Sequence, residues 1–190
     1  MKMIKVLLIL CIPVFLWGQK YIDTLYTIET LKDIEYGKSI DFAGNERTLS
    51  FDISFPDNDT LDVCGRPLVL FIHGGAFVTG SKDDYSPSRF RQDFAKRGFA
   101  AASINYRLGQ FQTEKNIHCN ISGFGLDWDC TNLADTSEWY RAYFRGVQDI
   151  NSCIRYMVNH AEELEIDPQN IFLIGESAGG YLAMGAGLTI

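Results

Sequence analysis

Two short stretches carry residues of the right type and spacing for acyl chemistry. The first is Gly175-Glu176-Ser177-Ala178-Gly179, a serine with a glycine two residues away on either side. It follows the apolar run "IFLIG" and precedes "GYLAM", so it sits between a buried strand and the start of a helix. A serine on so tight a strand-to-helix turn exposes its hydroxyl, and side chains at positions 175 and 179 would collide with neighbouring backbone. The following helix aims its N-terminal amides, at the positive end of its dipole, at the place where negative charge would develop. The chemistry expected is nucleophilic attack by Ser177. The alternative is a tight turn whose serine merely caps the helix.

The second stretch is "HGGAF", His73 to Phe77, directly after another buried run. Gly74 and Gly75 allow close approach of backbone to a ligand. Neighbouring N–H groups there can point at one oxygen, the arrangement that stabilises an oxyanion. Alone, the stretch reads equally well as a glycine turn leaving a strand; paired with the serine turn, the oxyanion reading is the stronger.

These stretches need elements to hold them. "RTLSFDISFP" (Arg47 to Pro56) alternates apolar and polar residues, as a half-exposed strand does. Leu68 to Ile72 is continuously apolar, which fits a strand covered on both faces. "SPSRFRQDFAKRG" reads as a helix, with Ser86 as cap, Pro87 in the first turn, Phe90 and Phe94 four apart, and Gly98 as stop. "FAAASINYR" is a further strand. The run from Glu138 to Leu164 is the longest helix, with Phe144, Val147, Ile150, Ile154, Met157, Ala161 and Leu164 on its apolar stripe. "IDPQN" reads as a turn. Residues 19–48 are a mixed, polar lead-in, and Gly109 to Thr136 is a long irregular excursion. Phe111, Phe124 and Trp128 in that excursion offer one wall of a site entrance, or the excursion is a disulfide-clipped surface segment. The alternation of strands and helices predicts an α/β fold, a mostly parallel central sheet with helices on both faces.

Composition sets the outer bounds. The chain has 190 residues, 46% of them hydrophobic and 13% aromatic, enough for one packed domain. The net charge of −7, without a basic stripe, argues against a nucleic-acid partner. Lys2 and Lys5 precede the apolar run Val6 to Trp17, which is too short to span a bilayer comfortably and suits a secretory signal over residues 1–18. No other segment suggests a stable membrane span, so an exported protein is expected. Cys11 lies within that signal. Cys64, Cys119, Cys130 and Cys153 remain, and an oxidising compartment would allow them to pair. Cys119 and Cys130 flank a loop and form the first choice of pair; Cys153, in a helical pattern, also fits a buried small hydrophobe. The cysteine and histidine spacings give little support to a metal site. Asn58-Asp59-Thr60 and Asn120-Ile121-Ser122 have the form of glycosylation sequons.

Over roughly residues 45–190 the chain resembles the α/β-hydrolases of the carboxylesterase/lipase superfamily. "HGGAF", "NYRLG" (Asn105 to Gly109), "EIDPQNI" (Glu165 to Ile171) and "GESAGG" (Gly175 to Gly180) occur in that family's order and spacing. "GESAGG" resembles the carboxylesterase/cholinesterase branch in particular. The resemblance implies hydrolysis of small-molecule carboxylic esters without a cofactor. It implies Ser177 as nucleophile, oxyanion donors on the amides of Gly75, Ala76 and Ala178, and Gly74 as shaper of that turn. The family often has a third glycine where Ala76 stands; alanine keeps the N–H. By the same resemblance His73 supports the oxyanion loop, Asp149 is structural, and Asn105, Tyr106 and Arg107 are structural neighbours of the site.

The family's triad runs serine, acid, histidine along the chain. His73, His118 and His160 precede Ser177, so none fits as the base. Glu176 fits a hydrogen-bonding role beneath the turn rather than the triad acid. No Asp, Glu or His follows Ser177. Residues 19–190 are therefore expected to be the N-terminal part of one α/β-hydrolase domain, whose C-terminal part is missing, and the chain alone is expected to be inactive. A non-catalytic binding module and a serine peptidase of the same fold are the alternatives.

Overall fold

The computed structural model describes residues 20–59, 65–110 and 136–189, together with the backbone of 117–121 and 126–130. The expected signal, Cys11 and Cys64 lie outside these residues, as do the side chains of Cys119, Cys130 and His118. So do Phe111 and Phe124 entirely and the side chain of Trp128. Among the described residues no helix is long and apolar enough to cross a membrane.

A five-stranded sheet forms the centre, in the order β1 (Ile28–Ile40), β2 (Glu46–Pro56), β4 (Ala100–Ile104), β3 (Arg66–Ile72), β7 (Ile166–Gly175). β3 runs parallel to both β4 and β7, whereas β2 is antiparallel to β1 and β4. The sheet is therefore parallel where it carries the two sequence motifs and antiparallel on its other side. The continuous apolar run of β3 has the burial it implies: Leu68 to Ile72 are all buried. On one face Leu68, Leu70 and Ile72 join the main core with α2 (Thr136–Asn159) and α3 (Ala178–Gly187). On the other, α1 (Tyr85–Ala95) covers the sheet, with Phe90 tilted against Phe71 at 4.7 Å between ring centroids. Helices thus lie on both faces of the sheet, as the α/β expectation has it.

Several local expectations change. The lead-in contains β1, a long strand whose alternation is broken by register shifts between Leu31 and Ile34 and between Glu35 and Gly37. The excursion after Gly109 holds an antiparallel pair, β5 (Ile117–Ile121) and β6 (Leu126–Cys130), with Cys119 opposite Trp128 and Ile117 opposite Cys130. The "IDPQN" turn is absorbed into β7: Asp167 pairs with Pro67 and Ile171 with Leu68, so Pro168, Gln169 and Asn170 bulge out between them. Asp167 holds the bulge by accepting from the Gln169 amide and the Asn170 side chain. Helix α1 starts at Tyr85, so Ser86 lies inside its first turn, and no side chain caps it. In α2 the stripe runs through Ala142, Val147, Ile150, Ile154 and Met157, and Phe144 is 61% exposed. Tyr143 takes the inward position instead. A Cβ on Gly185 of α3 would stand 2.1 Å from its hydroxyl, so the two helices cross closely there. Cys153 is a free, fully buried thiol, as the small-hydrophobe reading has it.

One buried ion pair joins the pieces. Asp149 of α2 accepts from the Arg107 backbone N–H at 2.8 Å and from Arg107 Nη2 at 2.7 Å. Arg107 Nη1 also donates to the Ile40 carbonyl, so one guanidinium fastens α2 and the ends of β4 and β1. The structural reading of both residues fits this contact. Both side chains are buried, and removing one charge of such a pair strands the other. Asp149→Ala is expected to lower unfolding free energy by about 3–5 kcal/mol, measured by urea denaturation.

Candidate active site

Parallel pairing explains how two stretches far apart in sequence meet. Ile72, the last residue of β3, pairs with Gly175, the last of β7. The chain leaves both strands at the same edge of the sheet, the carboxyl edge where ligands of α/β sheets bind. The Glu176 amide donates back to the Ile72 carbonyl at 3.2 Å, which locks the two exits together. A Cβ built on Gly74 would lie 3.2 Å from Cβ of Ser177, so the loops touch.

Ser177 has φ 51° and ψ −117°, left-handed backbone that a side chain rarely adopts. Packing enforces it. A Cβ on Gly175 would fall 2.0 Å from the Gly179 carbonyl oxygen, and one on Gly179 would fall 2.1 Å from the Ile72 oxygen. Only glycine lets the chain turn this sharply between strand and helix. Gly179 and Gly180 then donate to the carbonyls of Glu176 and Ser177, starting α3. Ser177 occupies the cap position of that helix, yet its hydroxyl makes no capping bond and the residue is exposed. The helix-cap reading of the serine does not hold.

Across from it, Gly75, Ala76 and Phe77 have φ of 108°, 52° and 63°, three left-handed residues in succession. The turn closes through Val78 and Thr79 amides on the Gly75 carbonyl. The N–H groups of Gly75, Ala76 and Ala178 donate to no acceptor among the described residues. Such unspent amides beside an exposed hydroxyl are the donor set that a developing oxyanion needs.

His73 is buried. Its Nδ1 hydrogen-bonds the Gly74 carbonyl at 2.7 Å, and its ring stacks on Tyr106 at 4.4 Å. Burial pulls its pKa below the ordinary value, so the ring stays neutral at pH 7. The Tyr106 hydroxyl donates to the His73 carbonyl at 2.9 Å. His160, at the far end of α2, is held by the Tyr156 carbonyl. Neither histidine bonds Ser177. Glu176 corrects an expectation: it is exposed, and its carboxylate makes no hydrogen bond among the described residues, so it does not brace the turn from beneath. The cause is local: β7 ends at Gly175, and the sharp turn carries Glu176 outward with Ser177.

Sequence reasoning overlooked two features. An apolar groove of about 660 Å³ adjoins the serine turn, walled by Phe77, Trp139, Tyr140, Tyr143, Tyr181 and Met184. Phe77 meets Trp139 edge-on at 5.1 Å. Trp139, Tyr140 and Tyr143 of α2 precede the apolar stripe read from the sequence, which begins at Phe144, so nothing there marks them as the wall of a groove. The second feature is Lys82, which is almost fully buried in the loop after "HGGAF".

The sequence matches the BD-FAE family over residues 51–117 and 138–190, more than half of the chain and both motifs. The chain belongs to the BD-FAE family. This is an α/β-hydrolase family, and the carboxylesterase type of the resemblance holds. Phenmedipham hydrolase of Pseudarthrobacter oxydans is 30% identical over 122 residues, covering 64% of this chain and 20% of the relative. The neuroligin-like protein glit-1 of Caenorhabditis elegans is 27% identical over 174 residues, covering 88% of this chain and 20% of the relative. The apo form of Thermogutta terrifontis esterase 2 superposes with a TM-score of 0.53 at 26% identity, over 83% of this chain and 44% of the esterase. The same esterase is also known phosphonylated by cyclosarin. This BD-FAE chain thus spans a fifth of these curated relatives and less than half of the solved esterase.

In Gly179→Ala the new methyl meets fixed backbone, and unfolding free energy should fall by more than about 3 kcal/mol. Gly187, in the same helix, has no atom within 4 Å of a built Cβ. Gly187→Ala should leave stability unchanged or raise it by up to about 1 kcal/mol. Thermal unfolding of the two variants separates crowding from a general intolerance of helix α3.

Proposed function

We propose that this BD-FAE chain carries the nucleophile half of a serine carboxylic-ester hydrolase. One observation supports it above the others: the exposed, uncapped Ser177 hydroxyl stands against a loop whose Gly75 and Ala76 amides, with that of Ala178, have no other acceptor among the described residues. In the proposed cycle Ser177 Oγ attacks the ester carbonyl and its proton passes to a histidine. The carbonyl oxygen gathers charge on the three amides. The alcohol leaves with that proton, and water then releases the acid from the acyl-serine. The proposal places the histidine and its orienting carboxylate outside residues 1–190, in the family's order after the serine. It also takes residues 1–18 as a signal for export; N-terminal sequencing of the secreted protein should then begin near Gln19.

The relatives support the ester class: one is phenmedipham hydrolase and a solved neighbour is an esterase. Glit-1 is named neuroligin-like rather than as an enzyme, which favours a binding module as second reading. Treatment of the full-length protein with a fluorophosphonate, followed by peptide mass mapping, decides between them. The expected result is one adduct on Ser177, and loss of p-nitrophenyl ester turnover by about 10³-fold or more in Ser177→Ala. Residues 1–190 alone should hydrolyse no faster than buffer. Full turnover in Ser177→Ala, or an adduct elsewhere, would exclude the mechanism; absence of any adduct and of turnover would favour the binding module.

A further inference from the structure

The loop from His73 to Asp84, between β3 and α1, carries the free amides, yet its backbone is unusual at three consecutive positions. Something outside the loop must hold it. The segment at the end of β4 does so at four points. The Tyr106 hydroxyl donates to the His73 carbonyl, and the Gly109 amide donates to the Phe77 carbonyl at 2.8 Å. Asn105 Oδ1 accepts the Lys82 amide at 2.7 Å, and the Ser103 hydroxyl donates to the Lys82 carbonyl at 3.0 Å.

Two of the four tethers end on Lys82, and its side chain adds a third hold. Nζ lies 2.8 Å from Asp52 Oδ1, 2.9 Å from Asp33 Oδ1 and 2.9 Å from Asp83 Oδ2. Lys82 is 2% exposed and Asp52 is fully buried. An ammonium has three donors and no acceptor, so three carboxylates saturate it and fix its direction. The bulge in β1 serves this contact. It gives Asp33 a φ of 55°, directs its amide to Asp52 at 2.9 Å and its carboxylate to Lys82. Arg91 of α1 stands on the other carboxylate oxygen of Asp52 at 3.6 Å and donates to Ser54.

The hold reaches the amides through packing. Gly80, two residues before Lys82, lies on the His73 ring so closely that a Cβ there would fall 2.4 Å from Nδ1. His73 in turn bonds the Gly74 carbonyl. Displacement of Lys82 would therefore shift Gly80, then His73, then the turn that begins at Gly74.

Resting on the hydrolase reading for its catalytic consequence, we infer that Lys82 is a positioning residue: its ion cluster with Asp52, Asp33 and Asp83 sets the oxyanion loop against Ser177. A lysine of merely structural value would change global stability and leave local exchange over 74–81 and kcat of the folded protein unchanged. The two roles separate in a variant that keeps the balance and removes the direction. Lys82→Met/Asp52→Asn deletes one positive and one negative charge, and the side-chain carbonyl introduced at position 52 can still accept the Asp33 amide.

Hydrogen exchange read by mass spectrometry on the full chain tests the hold, and p-nitrophenyl acetate kinetics on the full-length enzyme test its consequence. The expected result is a folded variant whose peptide over residues 74–81 exchanges about tenfold faster or more, with β3 and α2 peptides unchanged. kcat should fall about 10²-fold with KM within a factor of about two. Unchanged exchange over 74–81 in the folded variant overturns the inference, as does faster exchange with wild-type kcat. Faster exchange in a protein whose wild type has no ester turnover supports the hold and sinks the hydrolase reading instead. Asp33→Gly/Asp83→Ala is the independent variant, should Lys82→Met/Asp52→Asn not fold. It removes two of the three carboxylates on Lys82 Nζ, and both side chains are exposed, so the core is left intact. Faster exchange over 74–81 supports the inference, and unchanged exchange overturns it.

Discussion

The parallel pairing of β3 with β7, which sets Ile72 opposite Gly175, is the constraint on which the site depends. It fixes where both loops leave the sheet. Once the two exits are neighbours, the Glu176 amide can bond the Ile72 carbonyl, and Gly179 must pass within contact of the same oxygen. A shift of one residue in this register would turn every β7 side chain to the opposite face and part the serine turn from the loop of Gly74 to Phe77. Burial of Leu68 to Ile72 on both faces fixes β3 in the interior of the sheet, between β4 and β7.

The antiparallel side of the sheet contributes by a different means. β1 and β2 supply none of the free amides and no hydroxyl of the site, but they supply charge. Asp33 and Asp52 reach Lys82, and the Ile40 carbonyl receives Arg107. Lys82 and Arg107 both act on chain that has left the sheet, where no ladder remains to guide it. Burial acts to lower the Lys82 pKa, but hydrogen bonds to Asp52, Asp33 and Asp83 outweigh it and raise the value. The ammonium therefore stays charged throughout the neutral range, and its directional bonds are constant there.

The parallel strands and the serine turn were legible in the sequence because each rests on local chemistry. Leu68 to Ile72 and Ile171 to Gly175 are apolar without interruption, and Gly175 and Gly179 flank a serine at the only spacing the turn tolerates. β1 was not legible, because its bulges interrupt the two-residue alternation that marks a strand. Phe144 misled because a stripe of 3-to-4 spacing admits more than one helix face; only the crossing of α2 with α3 selects Tyr143 over it. Lys82 was illegible for a stronger reason. "SKDD" reads as a solvated loop, and its burial exists only because Asp33 and Asp52, distant in sequence, converge on it. Charges buried by long-range partners leave no periodic trace in sequence.

Among the described residues, three of the seven non-glycine residues with positive φ lie on the two loops that face each other. Ser177, Ala76 and Phe77 are all non-glycine residues in left-handed conformation, and each such residue costs on the order of 1–3 kcal/mol. Strain of this size persists only where surroundings leave no alternative, and here the surroundings can be named. Phe77 is pinned because its ring is buried against Trp139 and Tyr143 while its carbonyl takes the Gly109 amide. Ser177 is pinned because Gly175 and Gly179 close on it from both sides. Ala76 lies between two residues so held and follows their turn. The consequence is chemical. A relaxed loop would fold its amides onto its own carbonyls, as the amides of Val78 and Thr79 do. Held open in left-handed backbone, Gly75 and Ala76 keep theirs unspent among the described residues, so the energy that the core commits to strain is what leaves these donors free for an oxygen from outside.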